Sequence, residues 1–196
     1  STLKKRKFSN LRVFPLFLNC FNCYSPPSVQ KQLSKFSSFT DDMRSIGLKA
    51  GSKLLSYSVI QAKGNPIVQQ KLQLEDDDLV HDFVRLRTGN DTPIALSHTW
   101  ISAKIIPMIP PAQLEHSLIT YLKEQYSIKP EHGEFEFSAK VPTAEQKKLL
   151  QLNKQEALLI CAHTTYGDFH GEILPYEYVE TSYNSDLYTY TLSIKV

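Results

Sequence analysis

Apolar and polar residues alternate along Lys53–Ala62, with Leu55, Tyr57 and Val59 falling on one side. A period of two is the mark of a half-buried strand. Leu79–Arg87 and Pro93–Trp100 read the same way across Gly89-Asn90-Asp91, so they are expected to pair as a hairpin. A second set follows: strands at Gly133–Val141 and Ala157–Tyr166, a turn over Gly167–Gly171, a return at Tyr176–Tyr183 and a last strand at Tyr188–Lys195. Between them the period lengthens to that of a helix. Pro66 suits a first helical position, which predicts a helix from Asn65-Pro66 to Leu72. Ala112–Tyr126 places Leu114, Leu118, Tyr121 and Leu122 on one side. Thr143, with Gln146 three residues on, forms a capping-box pattern for a helix ending at Leu152. Ser28–Lys35 predicts a short helix. Thr40 predicts the N-cap of another, with Asp41 and Asp42 in its first turn and Gly47 stopping it.

The order repeats. Lys71-Leu72-Gln73-Leu74 and Leu149-Leu150-Gln151-Leu152 each precede a strand, a Gly-containing turn, a Pro and a return strand. Two helix-plus-hairpin halves predict an α+β domain: a mostly antiparallel sheet with helices packed on one face. A ligand is expected at the seam between the halves. Residues 1–27 differ in character, basic and then aromatic-rich, and close on Pro26-Pro27. They read as a separate arm without an assignable fold, leaving 28–196 as the domain.

At 196 residues and a net charge of +2, the chain is large enough to bury a core and too balanced to be basic over its whole surface. Lys4-Lys5-Arg6-Lys7 reads as a solvated tail. Cys20 and Cys23 form a lone pair with no second half for a zinc site, and three cysteines make no disulfide framework. No run approaches the ~20 apolar residues needed to cross a bilayer. The chain is expected to be cytoplasmic, without metal or cofactor.

The sharpest chemical signal is Arg85 with Arg87. Two apart on a strand, they share one sheet face, and parallel guanidiniums bind phosphate or carboxylate. On geometry alone the plainer reading, a solvated or salt-bridged outer face that adds little to stability, is favoured. Ser38-Phe39-Thr40 at a helix start offers backbone N–H groups to an anion, or is simple capping. Glu177 and Tyr183 on one strand, and Ser117 near the start of its helix, are further candidates to touch a ligand. The six histidines form no nucleophile or metal motif, and no Gly-rich phosphate loop occurs, so an enzyme is not expected.

Taken together, Ser38-Phe39-Thr40-Asp41-Asp42-Met43 with Gly47, Arg85-Leu86-Arg87, Thr92-Pro93-Ile94-Ala95-Leu96, Ser117-Leu118 with Tyr121-Leu122, Thr143-Ala144-Glu145, and Pro175-Tyr176-Glu177-Tyr178 with Asp186 resemble the UbiC transcription regulator-associated (UTRA) domain. This is the effector-binding domain of HutC-type regulators in the GntR superfamily. The resemblance, over about residues 34–196, implies a chorismate-lyase-like fold and a pocket for a small anionic effector, often a sugar phosphate. It implies that Arg85 and Arg87 grip the anionic group with Ser38, Phe39 and Thr40, while Ser117, Glu177 and Tyr183 meet the rest of the ligand. It also implies a homodimer. DNA would be bound only through a winged helix-turn-helix that residues 1–27 do not match. The chain departs from the family pattern at Ser97, where the family often has Glu, and at Asn184-Ser185, where it has Arg-Gly. The alternative is a chorismate-lyase-like enzyme acting on a small carboxylate.

Overall fold

The computed structural model describes residues 28–33, 37–153 and 157–194. The basic run, Cys20 and Cys23 lie outside them, as does the rest of the expected arm. In chain order the elements are β1 (Val29–Gln32), α1 (Phe39–Ser45), β2 (Ala50–Gln61), α2 (Pro66–Leu72), β3 (Leu79–Gly89), β4 (Thr92–Ser102), a 3₁₀ turn (Pro111–Glu115), α3 (Leu118–Tyr126), β5 (Pro130–Lys140), α4 (Ala144–Leu150), β6 (Leu158–Phe169), β7 (Glu172–Asn184) and β8 (Tyr188–Thr191).

Six strands form one antiparallel sheet in the order β2-β3-β4-β7-β6-β5. This is the arrangement two repeated halves demand: β2-α2-β3-β4 and β5-α4-β6-β7 meet where β4 lies against β7. The halves match in detail. Each hairpin turns on left-handed backbone, at Asn90 and Asp91 (φ 47° and 65°) and at His170 and Gly171 (φ 60° and 91°), the twist that suits a two-residue connection. Each crossover helix ends on a left-handed glutamine, Gln73 or Gln151, both at φ 53°. Asn65 caps α2 by accepting from the Val68 N–H. Thr143 and Gln146 form the expected capping box of α4.

Helices cover both faces, where the sequence suggested one. On one side Val68 and Leu72 of α2 pack with Trp100 and Tyr178, and Leu150 of α4 with Leu158 and Ile160. The other side carries two apolar clusters. One joins Phe83 and Ile101 to Leu114, Leu118 and Leu122. The second joins Met43 of α1 to Ala95, Cys161, Tyr183 and Tyr188.

Four local expectations are corrected. Residues from Ser28 do not form a helix: β1 pairs in parallel with β8, and Val29 is buried there. The cap of α1 is Ser38, not Thr40, because Asp41 completes a capping box with Ser38. Residues 112–126 are not one helix, since Ser117 starts a new one by accepting from the Thr120 N–H. In β2 a bulge between Leu54 and Ser56 breaks the alternation, so that Leu54 packs inward with Tyr57 and Leu55 is exposed; Val59 keeps the face of Tyr57 but is exposed as well.

Candidate functional site

Strand β3 turns its arginines inward. Arg85 is 5% exposed and Arg87 8%, whereas their chain neighbours Val84 and Leu86 are only partly buried. The usual pattern of apolar inside and charged outside is inverted, because this face is the one roofed by α1, the 3₁₀ turn and the β1–β8 ribbon. The reading of these side chains as a solvated outer face is therefore corrected. Their polar atoms are poorly matched: Nε and Nη1 of Arg85 and Nε of Arg87 are shut off from solvent and have no hydrogen-bond partner among the described residues. Arg85 lies over the Phe83 ring at 5.1 Å and Arg87 over Phe39 at 4.5 Å, contacts that hold a cation without consuming its donors. Burial pushes Arg85 down to about 9, with Arg87 adding repulsion and Glu177 opposing the shift. Burial likewise pushes Arg87 down to about 10, against Tyr183, Glu177 and Tyr188. Both stay cationic at neutral pH.

Glu177 of β7 faces the same space. It is 7% exposed, and its Oε2 accepts from the Thr165 hydroxyl at 3.1 Å. Burial raises its pKa, against the pull of Arg85, Thr165 and Arg87. Two cations thus face Glu177, while Asp42, held by Lys31, and the exposed Glu131 lie elsewhere on the same wall. Tyr183 stacks on Tyr188 at 4.0 Å and accepts a hydrogen bond from the Tyr190 hydroxyl. The Ser117 hydroxyl accepts from Thr120 at the start of α3.

The start of α1 contributes less charge than its sequence suggested. The Ser38 hydroxyl donates to Asp41 and accepts from its N–H, so the cap is spent within the helix. The Asp41 carboxylate also sits on the positive end of the helix dipole. The N–H groups of Phe39 and Thr40 remain, the orphan donors of any helix start.

All eight residues expected at the site, Ser38, Phe39, Thr40, Arg85, Arg87, Ser117, Glu177 and Tyr183, border one cavity of about 250 Å³. That is just below the ~300–1,000 Å³ usual for small-molecule pockets, so its occupant is small. A larger hollow of about 500 Å³ beside Phe137, Leu159 and Leu192 has no charged side chain among its described lining, and it lacks the chemistry to fix a polar ligand. Among the described residues no cluster of three metal-ligating side chains occurs, and no helix is long and apolar enough to cross a membrane.

Sequence reasoning missed part of the wall. Asp42, expected to serve the helix dipole, is buried and accepts from Lys31 Nζ (3.1 Å), the Ser37 hydroxyl (2.6 Å) and the Tyr188 hydroxyl (2.7 Å). It ties α1 to β1 and β8, partners too far along the chain for any local pattern to reveal. Ser97, Thr181 and His163 also line the cavity. Register alone finds them, since Ser97 pairs with Arg85 and with Thr181, and His163 pairs with Val179 one pleat away.

Residues 45–189 match the UTRA domain family. The chain is 25% identical over 166 residues to the HTH-type transcriptional repressor NagR of Bacillus subtilis, covering 85% of this chain and 66% of that protein. It is 26% identical over 164 residues to the mannosyl-D-glycerate transport/metabolism system repressor MngR of Escherichia coli, covering 84% and 66%. It thus spans about two thirds of the length of these curated relatives. Among solved structures, the effector domain of PhnF from Mycobacterium smegmatis superposes with a TM-score of 0.72 at 17% identity, covering 86% of this chain and all (100%) of that one. A Staphylococcus aureus gene product gives 0.74 at 20%, covering 85% and 99%. These two likenesses speak to the fold, which is the mostly antiparallel one that the sequence predicted.

Proposed function

The chain belongs to the UTRA domain family, and on that premise we propose that it is the effector-binding part of a transcription regulator whose ligand is a small anionic metabolite such as a sugar phosphate. The observation that carries this reading is the buried arginine pair. Two desolvated guanidiniums with N–H atoms unbonded among the described residues, on the wall of a small cavity that Glu177 also borders, form a receptor for an anion. The hydroxyls of Ser97, Ser117 and Thr181 on the same walls suit a polyhydroxylated body. The E. coli relative is named for mannosyl-D-glycerate, and a glycosylated carboxylate has that same combination of anion and hydroxyls. The relatives are named as repressors, not as enzymes, which supports binding over turnover and weighs against the lyase-like alternative. The regulator would act as a homodimer and meet DNA through a helix-turn-helix domain in the part of its relatives that this chain does not span.

The test is a thermal-shift screen with sugar phosphates, amino-sugar phosphates, phosphonates and organic acids, followed by calorimetric titration of the best ligand. A ligand that binds the folded state raises the melting temperature. Arg85→Ala or Arg87→Ala is expected to cost on the order of 2 kcal/mol, more than tenfold in affinity. Unchanged affinity in both variants, with the fold intact, would remove the arginines from the site.

A further inference from the structure

The cavity has two chemically different ends. The arginines stand on β3, in the first half of the sheet. His163 stands on β6, in the second, and lines the same cavity with its ring stacked on Phe135 at 5.1 Å. The strand order β3-β4-β7-β6 puts three strand spacings, about 14 Å, between the two backbones. Arg85 does not close that gap, because its guanidinium is held over Phe83 on its own strand. Burial pushes His163 down to about 4, and the Lys31 charge adds to the shift. Its imidazole is therefore neutral, and its Nδ1 is sealed from solvent without a hydrogen-bond partner. Buried polar atoms in native proteins are matched by something. Among the described residues no group matches this one, and the residue borders the cavity.

We propose that His163 is the specificity contact for the uncharged end of the effector: it hydrogen-bonds a ring hydroxyl or an amide while the anionic group rests on Arg85 and Arg87. The inference deepens the anion-pocket reading and rests on it. A neutral imidazole presents one donor and one acceptor, so it accepts a hydroxyl or an amide and gives no return for burying a second negative charge. An effector that satisfies both ends is a small molecule with its anion at one terminus and a polar, uncharged group at the other. A bare anion fills only the arginine end.

The experiment compares inorganic phosphate, glucose 6-phosphate and N-acetylglucosamine 6-phosphate, titrated calorimetrically into the wild-type chain, His163→Phe and His163→Gln. His163→Phe keeps the stack on Phe135 and removes the hydrogen bonds. It is expected to leave inorganic phosphate within twofold of wild type and to weaken the tighter sugar phosphate at least tenfold. His163→Gln, which keeps a polar edge, recovers part of the loss. The ligand-free melting temperature of His163→Phe should equal or exceed that of wild type, since no partner is lost. Equal sugar-phosphate affinity in His163→Phe and wild type overturns the inference. So does a parallel loss of both ligands, which marks a structural role, or a wild-type protein that binds sugar phosphate no tighter than phosphate. A wild-type protein that binds none of the three removes the anion pocket itself, and this inference with it.

Discussion

Arg85→Met should make the ligand-free protein more stable. The substitution keeps an unbranched apolar stem and deletes a guanidinium that is 5% exposed and has two unbonded nitrogens. Its pKa falls from 12.5 to about 9 on folding. At about 1.36 kcal/mol per unit, holding the charge in the folded state costs up to about 5 kcal/mol. Part of that is not recovered, because Glu177 loses its strongest attractive partner and must lean further toward its neutral form. A net gain of about 2 kcal/mol remains, within the ~1–4 kcal/mol found when buried ions give way to apolar groups. For a domain of this size that is a rise of about 4–8 °C in melting temperature. The assay is thermal or urea denaturation at pH 7.5 in buffer free of phosphate and other polyvalent anions. Adding an effector in excess should close most of this gap, since the wild type then gains on the order of 2 kcal/mol more binding energy than the variant. An Arg85→Met protein that melts at or below wild type without ligand would refute the argument that the arginines are held at a cost to the fold.

Acid should expose the cost of His163. Its folded pKa of about 4 lies below the ordinary 6.5, so between those values the unfolded chain binds a proton that the folded chain refuses. Its share of stability is present above pH 6.5 and lost as pH falls toward 4. His163→Phe should therefore gain on wild type by up to about 3 kcal/mol between pH 7 and pH 4, read as urea midpoints; parallel pH profiles would rule this out. Sedimentation at tens of micromolar should show a dimer, and a monomer at that concentration would count against the assembly proposed from the family.

How far the sequence reveals this molecule depends on how local the causes are. Asn65-Pro66 and Thr143 with Gln146 act within one helical turn, and both helices begin where these residues place them. The two left-handed glutamines and the paired hairpins follow from short patterns that occur twice. By contrast, β1 is four residues, Val-Gln-Lys-Gln, with no alternation to mark it; it is a strand because β8 is there to pair with it. The bulge in β2 inserts one residue, so that Leu54 and not Leu55 shares the face of Tyr57, which no periodicity foretells. The arginines show both outcomes. Their spacing put them on one face, as the pleat requires, but which face is the more deeply covered is decided by α1, the 3₁₀ turn and the ribbon, none of which is written in β3. A strand that reads Val-Arg-Leu-Arg points its leucine toward the core by every local rule, and here the arginines are the more buried.

The β1–β8 ribbon has a consequence for the order in which the molecule assembles. Its hydrogen bonds join residues such as Thr191 and Lys31, 160 positions apart, whereas the β3–β4 and β6–β7 hairpins close across two-residue turns. Contacts at such long range pay their loop-closure entropy before they are rewarded, so they form late. The Lys31–Asp42–Tyr188 junction then fastens α1 over the arginines only after the six-stranded sheet is complete. The cavity thus gains its cover in the last step of folding. That step can be undone by itself, a sub-global opening that frees the ribbon and leaves the sheet intact. A ligand that bridges α1 and β3 closes this opening, and amide exchange at Val29 and Leu33, whose N–H groups donate to Leu187 and Thr191, would slow in proportion to its concentration above Kd.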